Sequence, residues 1–267
     1  MRRAARIAVV HRMRIVTSVR YVAIGDSFTE GVGDERPDGT PRGWADLVAE
    51  GWAASLGEPV EYANLAIRGK LAWPVVDGQL EAALALKPTH LSFNGGGNDM
   101  LRPGTDLERI VDAFVTVERR CRENGVTPIL LAGADPSGGL PLSKLIRRRG
   151  DALTAAVTNR LRRTDGIVWA INWTDQELRD PAFWSPDRLH MNARGHHRVA
   201  ARVLEALGQR APEEWWSLPE PAQAHLATRD YYRAHVAPWV KRRLTGRSSG
   251  DGRQAKYGEW ITIGGAA

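Results

Sequence analysis

The sequence contains a single cysteine, Cys121, among its 267 residues. One thiol excludes an internal disulfide, and it excludes a metal cluster built from several cysteines. The residues around Cys121 mix charged and apolar side chains in the way that is typical of a helix surface, so we expect an unreactive thiol there.

Long apolar runs are also missing. No stretch approaches the ~18–20 apolar residues that a membrane-spanning helix needs, so we expect no integral membrane association. The longest apolar run near the start of the chain, residues 7–10, is shorter than the roughly 7–15 residues of a signal-peptide core. Together with the single cysteine, this pattern predicts a cytoplasmic protein.

Acidic residues are absent from the first part of the chain. Residues 1–20 contain six arginines and no Asp or Glu, which accounts for the whole net charge of +6. The rest of the chain is therefore balanced in charge, and this argues against a nucleic-acid-binding face. We expect residues 1–19 to be a disordered basic arm, or Met13 to be the true start. Such an arm also permits weak, salt-sensitive contact with an anionic membrane.

Between residues 20 and 208, short apolar runs alternate with longer amphipathic segments. The predicted strands are residues 21–24, 60–63, 91–94, 129–132 and 167–171. The predicted helices are residues 44–56, 76–86, 107–124, 142–162 and 193–207. Nearly continuous apolar strands separated by helices predict an α/β domain with a parallel sheet that is covered on both faces.

The composition changes after Gly208. Residues 209–267 contain four of the chain's ten tryptophans, together with several tyrosines and prolines. Residues 213–226 and 229–243 have helical patterns, whereas residues 245–256 are polar and rich in Gly and Ser. We therefore expect a C-terminal extension that is partly helical and then flexible. Its tryptophans either pack against the main domain, line the site or form an oligomer contact.

Ser27 is a candidate nucleophile. It follows the first predicted strand within Gly25-Asp26-Ser27, where the next helix begins. A turn at this place exposes the hydroxyl, and the unpaired N–H groups at the start of a helix favour nearby negative charge. We expect the neighbouring Asp26 to be a structural residue that accepts local backbone hydrogen bonds.

His190 is the candidate base, and Asp187 lies three residues before it. At this spacing the carboxylate can hold the imidazole by one ring N–H, fix its tautomer and stabilise its protonated form. The pair stands in a loop between the last predicted strand and the last helix, which Asn192 is suited to cap.

Three donors are candidates for stabilising an oxyanion: the backbone N–H groups of Ser27 and Gly69, and the side-chain amide of Asn98. Gly69 follows the second predicted strand, where a glycine allows the main chain to approach a ligand closely. Asn98 follows three glycines, Gly95 to Gly97, after the third strand. This glycine run lacks the Lys-Ser/Thr of a phosphate-binding loop and the spacing of a dinucleotide fingerprint.

These four blocks, Gly-Asp-Ser27, Gly69, Gly-Gly-Asn98-Asp and Asp187-x-x-His190, resemble the SGNH hydrolases, also known as the GDSL lipase/esterase family. The resemblance covers roughly residues 20–208. It implies a flavodoxin-like three-layer α/β/α sandwich with a five-stranded parallel sheet. It also implies Ser27 as nucleophile, His190 as base, Asp187 as its partner, and Ser27, Gly69 and Asn98 as the oxyanion hole. The chain departs from the family in Phe28, where Leu is common.

The resemblance implies a serine esterase that hydrolyses O-acyl esters of small molecules through an acyl-enzyme and needs no cofactor and no metal. His196 and His197 form a histidine pair, but they lack acidic or Cys partners at ligand spacing, so we expect them on a helix surface. Asp135, after the fourth strand, either lines the pocket or caps a loop. The alternative function is a non-catalytic binding or scaffold protein on the same fold, which would not react with a fluorophosphonate probe.

Overall fold

A computed structural model describes residues 18–140, 142–219 and 247–264, and also residues 230, 233–234, 237–238 and 245. The expectations for residues 1–17 and for most of residues 213–243 therefore lie outside the described residues. Within the predicted helix 213–226, the described part forms a single 3₁₀ turn, Glu213–Trp216. Over the described part of the chain, no helix combines the length and the apolar character needed to cross a lipid bilayer.

The described strands form one sheet with the order β5-β4-β3-β1-β2-β6. The strands are β1 (Arg20–Ile24), β2 (Val60–Asn64), β3 (His90–Phe93), β4 (Thr127–Ala132), β5 (Val168–Ile171) and β6 (Tyr257–Ile263). The first five are parallel, as their apolar sequences predict, and β6 pairs antiparallel with β2. All five parallel strands therefore end at the same edge of the sheet.

The prediction of five strands is corrected to six, because the C-terminal extension supplies β6. The segment predicted to be flexible thus ends in a strand that pairs Val60 with Ile263 and Tyr62 with Ile261. This strand covers the backbone N–H and C=O groups that would otherwise be unpaired along the edge of β2. The alternation of strands and helices along the sequence gives no sign of an antiparallel strand that comes from a distant part of the chain.

Helices pack on both faces of the sheet. They are α1 (Ser27–Glu30), α2 (Gly43–Leu56), α3 (Ala72–Val75), α4 (Glu81–Ala85), α5 (Gly97–Met100), α6 (Leu107–Glu123), α7 (Ser143–Leu161) and α8 (Ala193–Ala206). Helices α2 and α8 enclose one buried apolar cluster with the sheet, and α3, α4, α6 and α7 enclose the other. This is the expected three-layer sandwich.

Three local features differ from the sequence-based expectations. The helix predicted over residues 76–86 begins earlier, at Ala72, and a π-helical turn, Val76–Leu80, interrupts it. Cys121 is buried rather than on a surface, and burial raises the pKa of its thiol to about 12. His196 and His197 are buried as well, because α2 and Trp215 pack against their helix.

Candidate active site

Ser27, His190 and Asp187 form a continuous chain of hydrogen bonds at the carboxyl edge of the sheet. The distance from Ser27 Oγ to His190 Nε2 is 3.0 Å, and the distance from His190 Nδ1 to Asp187 Oδ2 is 2.6 Å. The structure therefore brings together the three side chains that the sequence singles out, although 163 residues separate Ser27 from His190 along the chain.

The end of β1 and a buried amide hold the Ser27 turn. Asp26 caps α1 by accepting the N–H of Phe28 at 3.1 Å. The side chain of Gln79 pairs with both backbone groups of Gly25, accepting from its N–H at 2.9 Å and donating to its carbonyl at 3.0 Å. Gln79 belongs to the π-helical turn, and such turns are frequent at functional sites. The peptide just before the nucleophile candidate is thereby fixed.

A tight turn presents His190. A bridge between Trp184 and Met191 closes the loop, and Arg188 has a left-handed backbone with φ of 59°. In this conformation Asp187 Oδ1 accepts the N–H groups of Leu189 and His190, each at 3.0 Å. Burial by itself would raise the pKa of Asp187, but the bonds from the His190 ring and from these N–H groups outweigh it and lower the pKa to about 2. The carboxylate is therefore charged at neutral pH.

Two further contacts join the serine loop to the histidine loop and to helix α8, which follows it. Gly33 lies so close to the carbonyl of Met191 that a Cβ atom at this position would collide with it. His196 accepts the N–H of Trp44 on Nδ1 at 3.1 Å, so its Nε2 carries the proton and donates to the carbonyl of Val32 at 3.2 Å. Burial lowers the pKa of His196 to about 4, which keeps this ring neutral at neutral pH.

Gly69 and Asn98, two of the three oxyanion candidates, lie on segments that bind each other. Asn98 Nδ2 donates to the carbonyl of Lys70 at 3.0 Å and to Asp26 Oδ2 at 3.1 Å. Asp99 accepts the N–H of Ala72 at 3.0 Å, so both residues of the Asn-Asp pair hold the loop that contains Gly69. Burial raises the pKa of Asp26 to about 6, against the opposing effects of the Phe28 N–H, His190 and Asn98. Asp26 thus makes the structural contacts expected from the sequence, and Asp99 makes a similar one.

A buried ion pair ties α1 to the Gly69 loop. Glu30 accepts the backbone N–H of Arg68 at 2.7 Å and its Nε at 2.8 Å. Arg68 directly precedes Gly69, so the carboxylate fixes the Ile67–Arg68 peptide, one residue before the Gly69 N–H. The C-terminal extension packs on the same loop, since a Cβ atom on Gly69 would collide with Ser248 Oγ.

Lys256 anchors the extension beside this loop. Its Nζ donates to the carbonyls of Glu30, Pro41 and Arg42 at 2.8–2.9 Å, and it contacts Asp46 Oδ1 at 2.8 Å. The side chain is only 6% exposed. The extension is therefore attached both to the end of α1 and to the sheet.

Asp135 does not line the cavity beside Ser27. It is buried, caps a 3₁₀ turn by accepting the N–H of Ser137, and pairs with Arg179 at 2.9 Å. Within the described residues, no cluster of three or more His, Cys, Asp and Glu side chains is arranged to hold a metal ion.

The sequence reasoning missed Glu30, Gln79, His196 and Lys256 as supports of the site. Glu30 stands three residues after Ser27, and this proximity is the one signal that could have found it. The other three act on backbone groups that are distant in the sequence, and no local pattern marks such contacts.

A partly exposed Ser-His-Asp hydrogen-bond chain at the carboxyl edge of a three-layer α/β/α sheet, beside loops with candidate oxyanion donors, is typical of one class of protein: hydrolases that act on ester bonds. The model of the GDSL-like lipase/acylhydrolase family matches residues 23–198. The chain belongs to this family, whose members are also called SGNH hydrolases. None of the curated proteins matches the sequence significantly.

Solved structures of esterases and lipases share the fold. The lipase Lip_vut3 from a goat rumen metagenome is 18% identical, with a TM-score of 0.60 over 71% of this chain and 97% of its own. A catalytic mutant of Axe2, an acetylxylan esterase from Geobacillus stearothermophilus, is 19% identical, with a TM-score of 0.60 over 71% and 94% of the two chains. The esterase EstA from a Pseudoalteromonas species is 15% identical, with a TM-score of 0.56 over 71% and 96%.

Proposed function

We propose that the protein is a serine esterase that hydrolyses O-acyl esters of small molecules through an acyl-enzyme on Ser27. The observation that carries the proposal is the continuous hydrogen-bond chain from Ser27 through His190 to Asp187, with distances of 3.0 and 2.6 Å. Such a chain supplies a nucleophile, a base and a group that orients the base.

In the first step, Ser27 Oγ attacks the ester carbonyl carbon while His190 Nε2 takes the hydroxyl proton. The tetrahedral intermediate collapses when the bond to the alcohol oxygen breaks, and His190 returns the proton to that oxygen. In the second step, His190 takes a proton from water, the resulting hydroxide attacks the acyl carbon, and Ser27 is released with its proton restored. Asp187 stays charged throughout and stabilises the imidazolium.

We assign the oxyanion hole to the backbone N–H groups of Ser27 and Gly69 and to the amide of Asn98. In the structure the Asn98 amide nitrogen donates to the Lys70 carbonyl and to Asp26. These two bonds orient the amide. In the reaction, a hydrogen bond to the developing negative charge is added to one of them or replaces it.

The test is hydrolysis of p-nitrophenyl esters together with labelling by a fluorophosphonate. We expect wild-type protein to hydrolyse the esters and to take up the label on Ser27, and Ser27→Ala to lose both while it stays folded by circular dichroism. Ser55→Ala, a change of an exposed serine on α2, is the matched control and retains both properties. Full activity in Ser27→Ala contradicts the mechanism. A folded wild type that neither turns over esters nor reacts with the probe supports the non-catalytic alternative.

A further inference from the structure

A cavity of about 130 Å³ reaches Ser27 and His190 and continues between the sheet and helix α7. The residues that line it away from the catalytic end are mostly apolar and come from the ends of β4 and β5 and from the inner face of α7. They include Leu131, Ala132, Ile146, Leu153, Val157 and Ile171. From Ile146 to Val157 the helix rises about 16 Å, so the lining side chains of α7 are spread over about three helical turns.

Two features keep this space open. Gly150, on the inner face of α7, lies so close to the Trp173 ring that a Cβ atom there would collide with it. The ring is further held by a hydrogen bond of 2.8 Å from its N–H to Asp151. The indole is therefore fixed against the helix. At Gly97, beside Asn98, a Cβ atom would meet no atom within 4 Å, so the missing side chain leaves room there.

The geometry of the reaction decides which part of an ester fits this space. His190 protonates the leaving alcohol, which must then depart so that water can take its place. The His190 side chain is 22% exposed, so the alcohol side of the site faces solvent. The acyl group, in contrast, stays bound to Ser27 through both steps. A cavity lined mostly by apolar side chains suits the part that stays.

We propose that the cavity under α7 is an acyl-chain subsite and that the protein prefers esters of straight medium-chain acids, with on the order of six carbon atoms, since an apolar cavity of about 150 Å³ holds one benzene molecule. This inference rests on the proposed function, because it assigns the substrate class of the same site. It names Leu153 and Val157 of α7 as residues that determine chain-length specificity.

The first measurement is kcat/KM for p-nitrophenyl esters from acetate to dodecanoate. Each methylene buried in the cavity is expected to raise kcat/KM about fourfold up to about the hexanoate, and longer chains give no further gain. The companion series keeps the acyl group as acetyl and lengthens the alcohol. In that series we expect kcat/KM not to depend on the length of the alcohol. A preference for acetate over every longer acid overturns the proposal, and so does a preference that follows the alcohol.

The second measurement fills the cavity. Val157→Phe is expected to lower the ratio of hexanoate to acetate kcat/KM at least tenfold, because the larger ring occupies the space of the chain. Ala155→Phe places the same ring on the exposed face of the same helix and keeps the wild-type ratio. Equal ratios in wild type and a folded Val157→Phe contradict the subsite.

If Val157→Phe does not fold, n-alkylboronic acids provide the same information with wild-type protein, because they add to the serine and present only an acyl-like arm. Their inhibition constants should fall as the alkyl chain lengthens to about six carbons, and constants independent of length contradict the subsite. If the protein is an active esterase whose kcat/KM does not depend on acyl chain length, the subsite is rejected and the proposed function is not. A protein that neither reacts with fluorophosphonate nor hydrolyses any ester rejects the proposed function itself.

Discussion

The Asp187 carboxylate accepts three hydrogen bonds within the turn that carries His190: one from the imidazole and two from backbone N–H groups. One oxygen thus shapes the turn, and the other fixes the ring. In Asp187→Asn the amide can preserve the turn but cannot stabilise the imidazolium. We expect kcat for p-nitrophenyl acetate to fall by about 10⁴-fold, the loss seen for the same change in the trypsin triad.

The matched control is Asp180→Asn, the same chemical change in an exposed residue that only caps a 3₁₀ turn. It should keep wild-type kcat, since Asn is as good a cap as Asp. A kcat for Asp187→Asn within tenfold of the wild-type value would remove this carboxylate from the mechanism.

Glu30 acts one step further from the chemistry, through Arg68 and the Gly69 peptide. In Glu30→Gln the half-buried Arg68 guanidinium loses its charged partner, and the loop that carries the Gly69 N–H is held less firmly. Because an oxyanion donor acts in the transition state, we expect kcat to fall about 10- to 100-fold with little change in KM. Removing such a donor outright costs about 10²–10³-fold in kcat.

Two measurements distinguish a role of Glu30 in positioning the Gly69 loop from a role in the stability of the fold alone. Glu81→Gln breaks a comparable pair with Arg120, but Glu81 is 65% exposed, so kcat and KM should stay at wild-type values. A Glu30→Gln enzyme that loses thermal stability while kcat is unchanged at 25 °C would show that the pair holds the fold and not the oxyanion loop.

At the scale of elements, the sequence predicts most of the sheet and the four long helices α2, α6, α7 and α8, but it misses strand β6 and the π-helical turn. Strands β1 to β5 were predictable because each contains a short apolar run, which in β1 to β4 is mostly buried, and their bounds agree within about two residues. Strand β6 was not, since it pairs with a strand about 200 residues away. The π-helical turn was not predictable either. It brings Gln79 to Gly25, and this contact joins segments that are distant in the sequence. Ser27 and His190 carry their own motifs, whereas the residues that support them do not.

Lys256 decides how firmly the extension is attached to the domain. Its amine is buried against Asp46 and three carbonyls, and Asp46 itself is only 2% exposed. Removing one partner of a buried pair leaves the other charge uncompensated, which costs roughly 3–5 kcal/mol. We therefore expect Lys256→Met to lower the free energy of unfolding by about 3 kcal/mol in urea titrations.

Lys144→Met, a change of an exposed lysine at the start of α7, serves as the control and should leave the free energy of unfolding within about 0.5 kcal/mol of wild type. If the Lys256→Met protein is as stable as this control, the buried Lys256–Asp46 pair does not hold the extension to the domain.

At the scale of the whole molecule, the site lies where two cores meet. One apolar cluster fills each face of the sheet, and the serine loop touches the cluster around α2 and α8 through Phe28 and His196. His196 is fully buried and hydrogen-bonded on both nitrogens to the backbone of the serine loop and of α2. Packing of this core and the geometry of the site therefore depend on the same neutral ring, which couples stability to pH.

The sign of that coupling follows from the lowered pKa of His196. An unfolded histidine titrates near 6.5 and the buried one near 4, so the unfolded chain binds the proton first as the pH falls. The contribution of His196 to the free energy of unfolding is complete above pH 6.5, declines below it, and is lost at about pH 4. A shift of this size corresponds to on the order of 3 kcal/mol.

His196→Gln tests this coupling, because glutamine can accept from Trp44 and donate to Val32 without titrating. Several buried carboxyl groups titrate in the same range, so the quantity to compare is the difference in unfolding free energy between wild type and variant. We expect wild type to be the more stable at pH 7 and its advantage to shrink by on the order of 3 kcal/mol by pH 4. Phe28→Leu, which removes the ring stacked on His196 but leaves the imidazole, should keep the pH dependence of wild type. Parallel curves for wild type and His196→Gln from pH 7 to pH 4 would mean that the buried ring does not link folding to protonation.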